Sequence, residues 1–441
     1  MNTKLAKYHR IIESINPISI YGKVSDIAGL LVEGHNCGSS IGEMCRIYSN
    51  GGNDSISAEV VGFRNGKGLM MPIENIQGIG PGSKIFPMGK KADVKVGSGL
   101  LGRVIDGLGM PIDDKGAVEC DDEYPIYAEV INPMKRGRIR EPIDLGVKAI
   151  NGLLTCGKGQ RVGIFSGSGV GKSVLLGMMA RHTKADVNVI GLVGERGREV
   201  REFIENNLGE EGLKRSVVIV ATPDAHPLIR MRAAYVATAV SEYFRDQGMD
   251  VLLMVDSLTR FAMAQREVGL FLGEPPTTKG YTPSVFSLIP KLIERTGNIE
   301  AGGSITGLYT VLVEGDDFNE PISDSARSIL DGHITLTRDL ASNNHYPAID
   351  ILQSISRVMT DVVDDDHSRR AGEVLSAVST YRKAEDLINI GAYAKGSSSK
   401  IDFAIQMIDK INAFLQQDVN ERVSFEKTKE QLLSLLEESV S

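Results

Sequence analysis

The 441-residue chain carries 49 Lys plus Arg against 57 Asp plus Glu, a formal net charge of -8. With 42% hydrophobic and 24% charged residues, it reads as a globular protein of about two to four domains, each long enough to bury a core. The acidic balance excludes a protein that coats nucleic acid or an anionic membrane, but it leaves room for a local basic pocket.

Trp is absent and aromatics make up only 5%, which leaves few platforms for stacking bases. The 48 glycines follow no Gly-X-Y period, so they mark tight turns. Cys37, Cys45, Cys120 and Cys156 lie far apart with no CxxC pair, which points to a reducing compartment. No apolar run is long enough to span a bilayer. Lys4, Lys7, Arg10 and Glu13 interrupt the N-terminal segment where a signal peptide would need an apolar core. A soluble, cytoplasmic protein is expected.

In chain order, Leu5, Tyr8, Ile11, Ile12 and Ile15 recur at helical spacing and predict an amphipathic arm over 1–17. Such an arm either lies on its own domain or reaches a partner helix or membrane surface. From 18 to 96 short apolar runs alternate with Gly, Asn and Ser. Met44–Tyr48, Ser57–Phe63, Gly68–Met71, Lys84–Pro87 and Ala92–Val96 predict strands, with a tight hairpin at Asn65-Gly66. Strands this short and closely spaced predict a small β-barrel without evident chemistry.

From 97 to 363 apolar strands alternate with helical stretches. Arg161–Phe165, Val187–Val193, Ser216–Ala221, Val251–Val255 and Ser304–Val313 predict strands. Lys172–His182, Arg198–Asn206, Ile229–Asp246 and Val285–Glu294 predict helices between them. This alternation implies an α/β fold with a mainly parallel sheet, whose ligands bind beyond the carboxyl ends of the strands. Over 364–441 the strands cease, and Val374–Ile388, Ile401–Leu415 and Val423–Leu436 predict a helical C-terminal domain.

The chemistry concentrates in the middle. Arg161-Val-Gly-Ile-Phe165-Ser-Gly-Ser-Gly-Val-Gly171-Lys172-Ser173 runs from strand through glycine-rich turn to helix, the context a P-loop needs. The backbone of Gly167, Ser168, Gly169, Val170, Gly171 and Val174 is expected to cradle phosphates at the helix N-terminus. Lys172 would reach the β and γ phosphates, and the Ser173 hydroxyl would bind Mg²⁺. Ser166 stands where the motif's first glycine belongs. Asp256 ends the run Val251–Val255 and suits a Walker B carboxylate, with a capping or turn role as the plain alternative. Glu195 follows Val187–Val193 and is the candidate to orient the attacking water. Glu199 and Glu202 compete with it, and a surface ion-pair network with Arg196, Arg198 and Arg201 is the bland reading. Beyond Tyr346-Pro347 an extended stretch is expected to end at Arg357, which suits either an arginine finger or a domain-linking salt bridge.

These residues make the chain resemble the flagellar and type III secretion protein-export ATPases, relatives of the catalytic β subunit of F-type ATP synthase. The likeness is dense from Val96 to Met359. It includes Leu100–Pro111, Gly194–Glu199, Gly273–Phe286, Val313–Pro321 and Pro347–Ser356. The resemblance implies a barrel, a RecA-like P-loop core, C-terminal helices and a homo-hexameric ring. It assigns phosphate binding to Lys172, magnesium to Ser173 and Asp256, water activation to Glu195, adenine packing to Tyr346, and to Arg357 a finger reaching a neighbour's nucleotide. Gly396–Lys400 departs from the family's acidic turn. ATP and Mg²⁺ follow as substrate and cofactor. A stator-like regulator at the arm, a central stalk-like protein, and an export gate with its substrates and chaperones follow as partners, at the cytoplasmic side of the inner membrane. Alternatives are an injectisome ATPase, a rotary synthase catalytic subunit, a non-catalytic nucleotide-binding subunit, which would lack the Glu195 carboxylate, and an RNA translocase. No nucleic-acid partner is expected.

Overall fold

The computed structural model describes residues 20–35, 38–50, 54–74, 76–300, 302–313, 318 and 320–435. The expected arm over 1–17 lies outside them. The chain forms two compact units that divide between Asp93 and Val94.

The first unit is a closed barrel. Its strands are β1 (Gly22–Ala28), β2 (Leu31–His35), β3 (Glu43–Tyr48), β4 (Ser55–Arg64), β5 (Lys67–Pro72) and β6 (Lys84–Lys91). They close in the order β1-β2-β5-β4-β3-β6. Alternate residues point inward, so Val24, Val32, Ile47, Val60, Met70 and Ile85 form its core. Asn65 and Gly66 turn β4 into β5 with φ of 51° and 75°, the left-handed pair that a tight hairpin demands. β1 and β2 escaped the sequence reading because Asp26, Gly34 and His35 interrupt their apolar pattern.

β7 (Asp93–Val96) begins at that boundary, and the second unit continues with β8 (Arg103–Asp106), β9 (Asp122–Pro125), β10 (Arg161–Ser166), β11 (Val187–Val193), β12 (Ser216–Ala221) and β13 (Asp250–Asp256). After these come β14 (Gly297–Asn298), β15 (Ser304–Leu312), β16 (Gly332–Leu336) and β17 (Ile355–Ser356). The main sheet runs β17-β16-β10-β15-β13-β11-β12-β8, with β14 paired to β15. β8, β10–β13, β15 and β16 are parallel, while β14 and β17 join antiparallel. All residues of β11 and β12 are buried, as expected of a parallel sheet covered on both faces.

Helix Lys172–His182 follows β10, Pro227–Asp246 follows β12 and Leu258–Phe271 follows β13. The expected helix over 198–206 forms as an α-helix, Gly197–Glu202, that passes into a π-helical turn, Phe203–Leu208. The extended stretch expected after Pro347 is not extended. Asp350 accepts the amides of Leu352 and Gln353 and turns the chain back, leaving only Ile355–Ser356 as strand.

Helices Asp365–Asn389, Ser399–Leu415 and Phe425–Ser434 close the described chain, the first and third capped by Asp364 and Ser424. Met407, Ile411, Phe414 and Leu432 share one core with Ile150, Leu153 and Leu176. The C-terminal helices are therefore packed into the nucleotide-domain core. Two polar ties reinforce that packing. Asp350 pairs with Arg382 at 2.9 Å, and Asp144 accepts the Phe425 amide at 3.1 Å.

Burial lowers the pKa of His182, His226, His333, His345 and His367, bringing His226 to about 4. Below the ordinary value of about 6.5 the unfolded chain therefore binds protons that the fold refuses, so stability falls as pH drops from 6.5 toward 4. His226 also caps helix Pro227–Asp246 through the Leu228 amide. His226→Asn preserves a capping acceptor and removes the titration. Thermal melts at pH 7 and pH 5 should show a smaller loss for the variant than for wild type.

Candidate active site

The site lies at the carboxyl ends of four neighbouring strands, β10, β15, β13 and β11. β10 ends at Ser166, and the chain turns through Gly167–Gly171 into helix Lys172–His182. Gly169 and Gly171 hold φ of 78° and 89°, the region that favours glycine. A Cβ at Gly169 would meet nothing within 4 Å, so backbone angle and not crowding selects glycine there. Ser166 is not among the residues with positive φ, which explains how serine replaces the motif's first glycine. It is fully buried, its carbonyl accepts the Val313 amide, and its hydroxyl has no partner.

Lys172 opens the helix and its ammonium bonds Asp256 Oδ1 at the end of β13. Thr310 on β15 donates to the same oxygen at 2.7 Å. Glu195, just beyond β11, stands 3.6 Å from the Lys172 ammonium. Arg260 on helix Leu258–Phe271 approaches the same oxygen of Glu195, at 3.4 Å. Glu195 and Asp256 are 7% and 3% exposed, so two carboxylates share one buried space with one lysine. Burial, then the Asp256 charge, pushes the Glu195 carboxyl up to about 7, while Lys172 and Arg260 hold it down. Of the competing acids, Glu202 pairs with Arg198 on the exposed helix face, while Glu199 pairs with Arg196 and also hydrogen-bonds Glu195, adding to the upward push on its carboxyl.

Ser173 is half-buried at the second position of the P-loop helix. Its hydroxyl and the Asp256 carboxylate are hard oxygen donors. Mg²⁺ is held by one or two such groups together with substrate phosphates, and this donor set fits it. Among the described residues no three His, Cys, Asp or Glu converge on a cage of their own.

Beside the loop, Gly171, Val174, Leu175, Met178, Tyr346 and Val419 line an apolar slot of about 170 Å³. A Cβ on Gly171 would stand 3.6 Å from the Tyr346 ring, which places that ring against the phosphate loop.

Arg357 is not part of this cluster. Its amide donates to Asp331 O at 2.9 Å, and the Asp331 amide donates to Arg161 O, at the start of β10. Five strand steps of about 3.3 Å, roughly 16 Å, separate that end of β10 from the phosphate loop. Arg357 is exposed, and among the described residues no carboxylate pairs with it, so the domain-linking salt bridge is not formed.

The sequence also matches known families. Residues 146–356 fit the ATP synthase alpha/beta family, nucleotide-binding domain, and residues 363–434 the T3SS EscN ATPase C-terminal domain. The flagellum-specific ATP synthase of Bacillus subtilis is 53% identical over 96% of this chain and 97% of its own. The chain belongs to the flagellar and type III secretion ATPases. The type 3 secretion system ATPase of Xanthomonas euvesicatoria is 49% identical over 95% of both chains. The assembled ATPase EscN of the enteropathogenic E. coli type III secretion system, in complex with its central stalk EscO, superposes with a TM-score of 0.87. It is 45% identical and covers 94% of this chain and all of that one. This chain is accordingly an ATPase with that fold.

As a member of the family, the chain brings together Lys172, Glu195 and Asp256, sets Tyr346 beside the loop, and holds Arg357 apart. Sequence reading missed Arg260, Thr310 and Val419. Arg260 carried the one available signal, a cation in the first turn of the helix that follows Asp256. Gly194 exposes how tightly this corner is built. Its φ is 68°, and a Cβ would stand 2.8 Å from Arg260 Cδ. At Gly197, by contrast, a Cβ meets nothing within 4 Å. Gly194→Ala should displace Arg260 or Glu195 and lower ATP turnover by at least about tenfold, each 1.4 kcal/mol of lost transition-state stabilisation being one decade. Gly197→Ala should stay within about twofold of wild type in the same assay.

Proposed function

We propose that this ATPase hydrolyses ATP with Mg²⁺ to energise flagellar protein export, at sites completed between neighbouring copies in a ring of six. The observation that carries the reading is the buried set of Lys172, Asp256 and Glu195 in one chain, with Arg357 at the opposite end of β10.

In this reading Lys172 and the amides of Gly167–Val174 bind the phosphate chain, and Tyr346 packs on the adenine. Ser173 and Asp256 would hold Mg²⁺, which supplies positive charge to the phosphate oxygens. Glu195 orients the attacking water and accepts its proton. A carboxyl raised toward neutrality is matched to that work. Arg260 fixes Glu195 in place. The charge on the transferring phosphoryl group is met by Arg357 of an adjacent copy, which its distance from its own loop favours.

The C-terminal match to the EscN family and the close flagellar relatives favour export over a rotary synthase. The higher identity to the Bacillus protein favours flagellar use over an injectisome. The complex of EscN with its stalk supports a stalk-like partner here as well. The remaining reading follows the family: a three-part division near residues 96 and 363, a stator-like regulator on the arm over 1–17, and peripheral association of a cytoplasmic ring with an export gate that receives substrates and chaperones. Among the described residues no helix is long and apolar enough to cross a membrane.

Steady-state hydrolysis tests the assignments. Lys172→Ala and Glu195→Gln should each lose at least about 10²-fold in turnover. Wild-type rates in either would refute the site. Arg357→Ala should keep ATP binding and lose about 10³-fold or more in turnover. Mixing it with Glu195→Gln subunits should restore a fraction of the activity, because some interfaces then pair an intact Glu195 with an intact Arg357. No recovery in mixed assemblies would contradict the shared site.

A further inference from the structure

The apolar slot beside the phosphate loop has a wall that does not belong to the α/β sheet. Gln417 and Val419 lie just beyond helix Ser399–Leu415 and line the slot together with residues of the P-loop helix. Gln417 is a polar residue only 6% exposed, and every polar group of its side chain is engaged. Its Oε1 accepts the Lys148 amide at 2.8 Å. Its Nε2 donates to Gly146 O and to Glu421 O, both at 2.8 Å. Its own amide donates to Tyr346 O at 3.0 Å. One residue thus joins the C-terminal segment, the turn before helix Lys148–Leu153 and the backbone of the tyrosine that faces the slot.

We propose that Gln417 is a positioning residue for the base of the nucleoside triphosphate, fixing the distance between Tyr346 and the wall made by Val419. The inference rests on the reading of this slot as the base subsite. The neighbouring contacts give Gln417 its leverage. Arg181, near the end of the P-loop helix, donates to Val419 O at 2.7 Å, so the wall is held from the P-loop side as well. The turn that Gln417 grips is rigid, because Gly146 holds φ of 70° and a Cβ there would stand 2.2 Å from His182 Cβ. Gln417 is therefore braced against a fixed turn. Buried amides left without partners would draw in water or shift the loop, and the slot would widen. None of these bonds reaches the phosphate loop, which is built on β10, so the loop is expected to keep its shape. The residue then governs affinity for the base and not for the phosphate chain.

The test compares ATP with inorganic tripolyphosphate, which offers the phosphate chain without a base, on the full-length protein. Calorimetric binding and steady-state kinetics are measured for wild type, Gln417→Ala and Gln417→Met, the last preserving volume without hydrogen bonds. The Kd and KM for ATP should rise about tenfold, the worth of a hydrogen bond near 1.4 kcal/mol, with kcat and tripolyphosphate affinity within about twofold of wild type. Gln417→Met carries the same expectation if Gln417→Ala does not fold. ATP affinity within twofold of wild type in either folded variant overturns the proposal, as does an equal loss of tripolyphosphate affinity. Tyr346→Ala separates the two levels. Loss of ATP affinity there without loss at Gln417 defeats only the positioning role, whereas no loss at Tyr346 defeats the base subsite itself.

Discussion

Two buried carboxylates around one lysine set the terms for this site. Asp256 and Glu195 end adjacent strands, and taking either charge out of water unpaired is costly. Lys172 offsets that cost for both. In the proposed reading an incoming phosphate chain would compete for the same ammonium, so each carboxylate would need a second partner to stay in place. The structure supplies them: Thr310 donates to Asp256, and Arg260 flanks Glu195. The polar residue near the carboxyl end of β15 and the glycine that makes room for Arg260 both follow from this requirement.

The sheet order makes the arrangement possible. Placing β15 between β10 and β13 brings residues far apart in the chain to one edge, at the carboxyl ends where parallel sheets bind ligands. Lys172 was legible through the glycine-rich turn before it, and Glu195 and Asp256 because each closely follows a buried apolar run whose end faces one edge of such a sheet. Thr310 was not legible, since a threonine within a strand looks the same whether it faces a helix or a carboxylate. Val419 and Gln417 were hidden for a different reason. They belong to a connection between C-terminal helices, and only tertiary packing brings that connection against the phosphate loop.

The barrel and the C-terminal region show where pattern reading stops. The hairpin at Asn65-Gly66 was readable because positive φ at both positions restricts the residue types. β1 and β2 were not, because polar interruptions break their alternation. The three C-terminal helices were found through their apolar stripes. Their stripes turn out to face the nucleotide-domain core, with Phe414 against Gly152, and not a core of their own. Arg357 stood after a stretch that looked extended. Asp350 turns that stretch through its acceptor bonds and its pair with Arg382, a device that periodicity does not reveal.

Together these features describe a chain that carries most of a nucleotide site at one end of its sheet and, at the other, an exposed arginine that no described carboxylate pairs with. Copies arranged in a ring would bring the two ends together, and the same chain would then supply both halves of every site. ATPase activity per subunit measured against protein concentration, with light scattering to follow assembly, tests this most directly. The account predicts that activity per subunit rises steeply with the assembled fraction and then levels off. Full activity per subunit in a solution of monomers would contradict it.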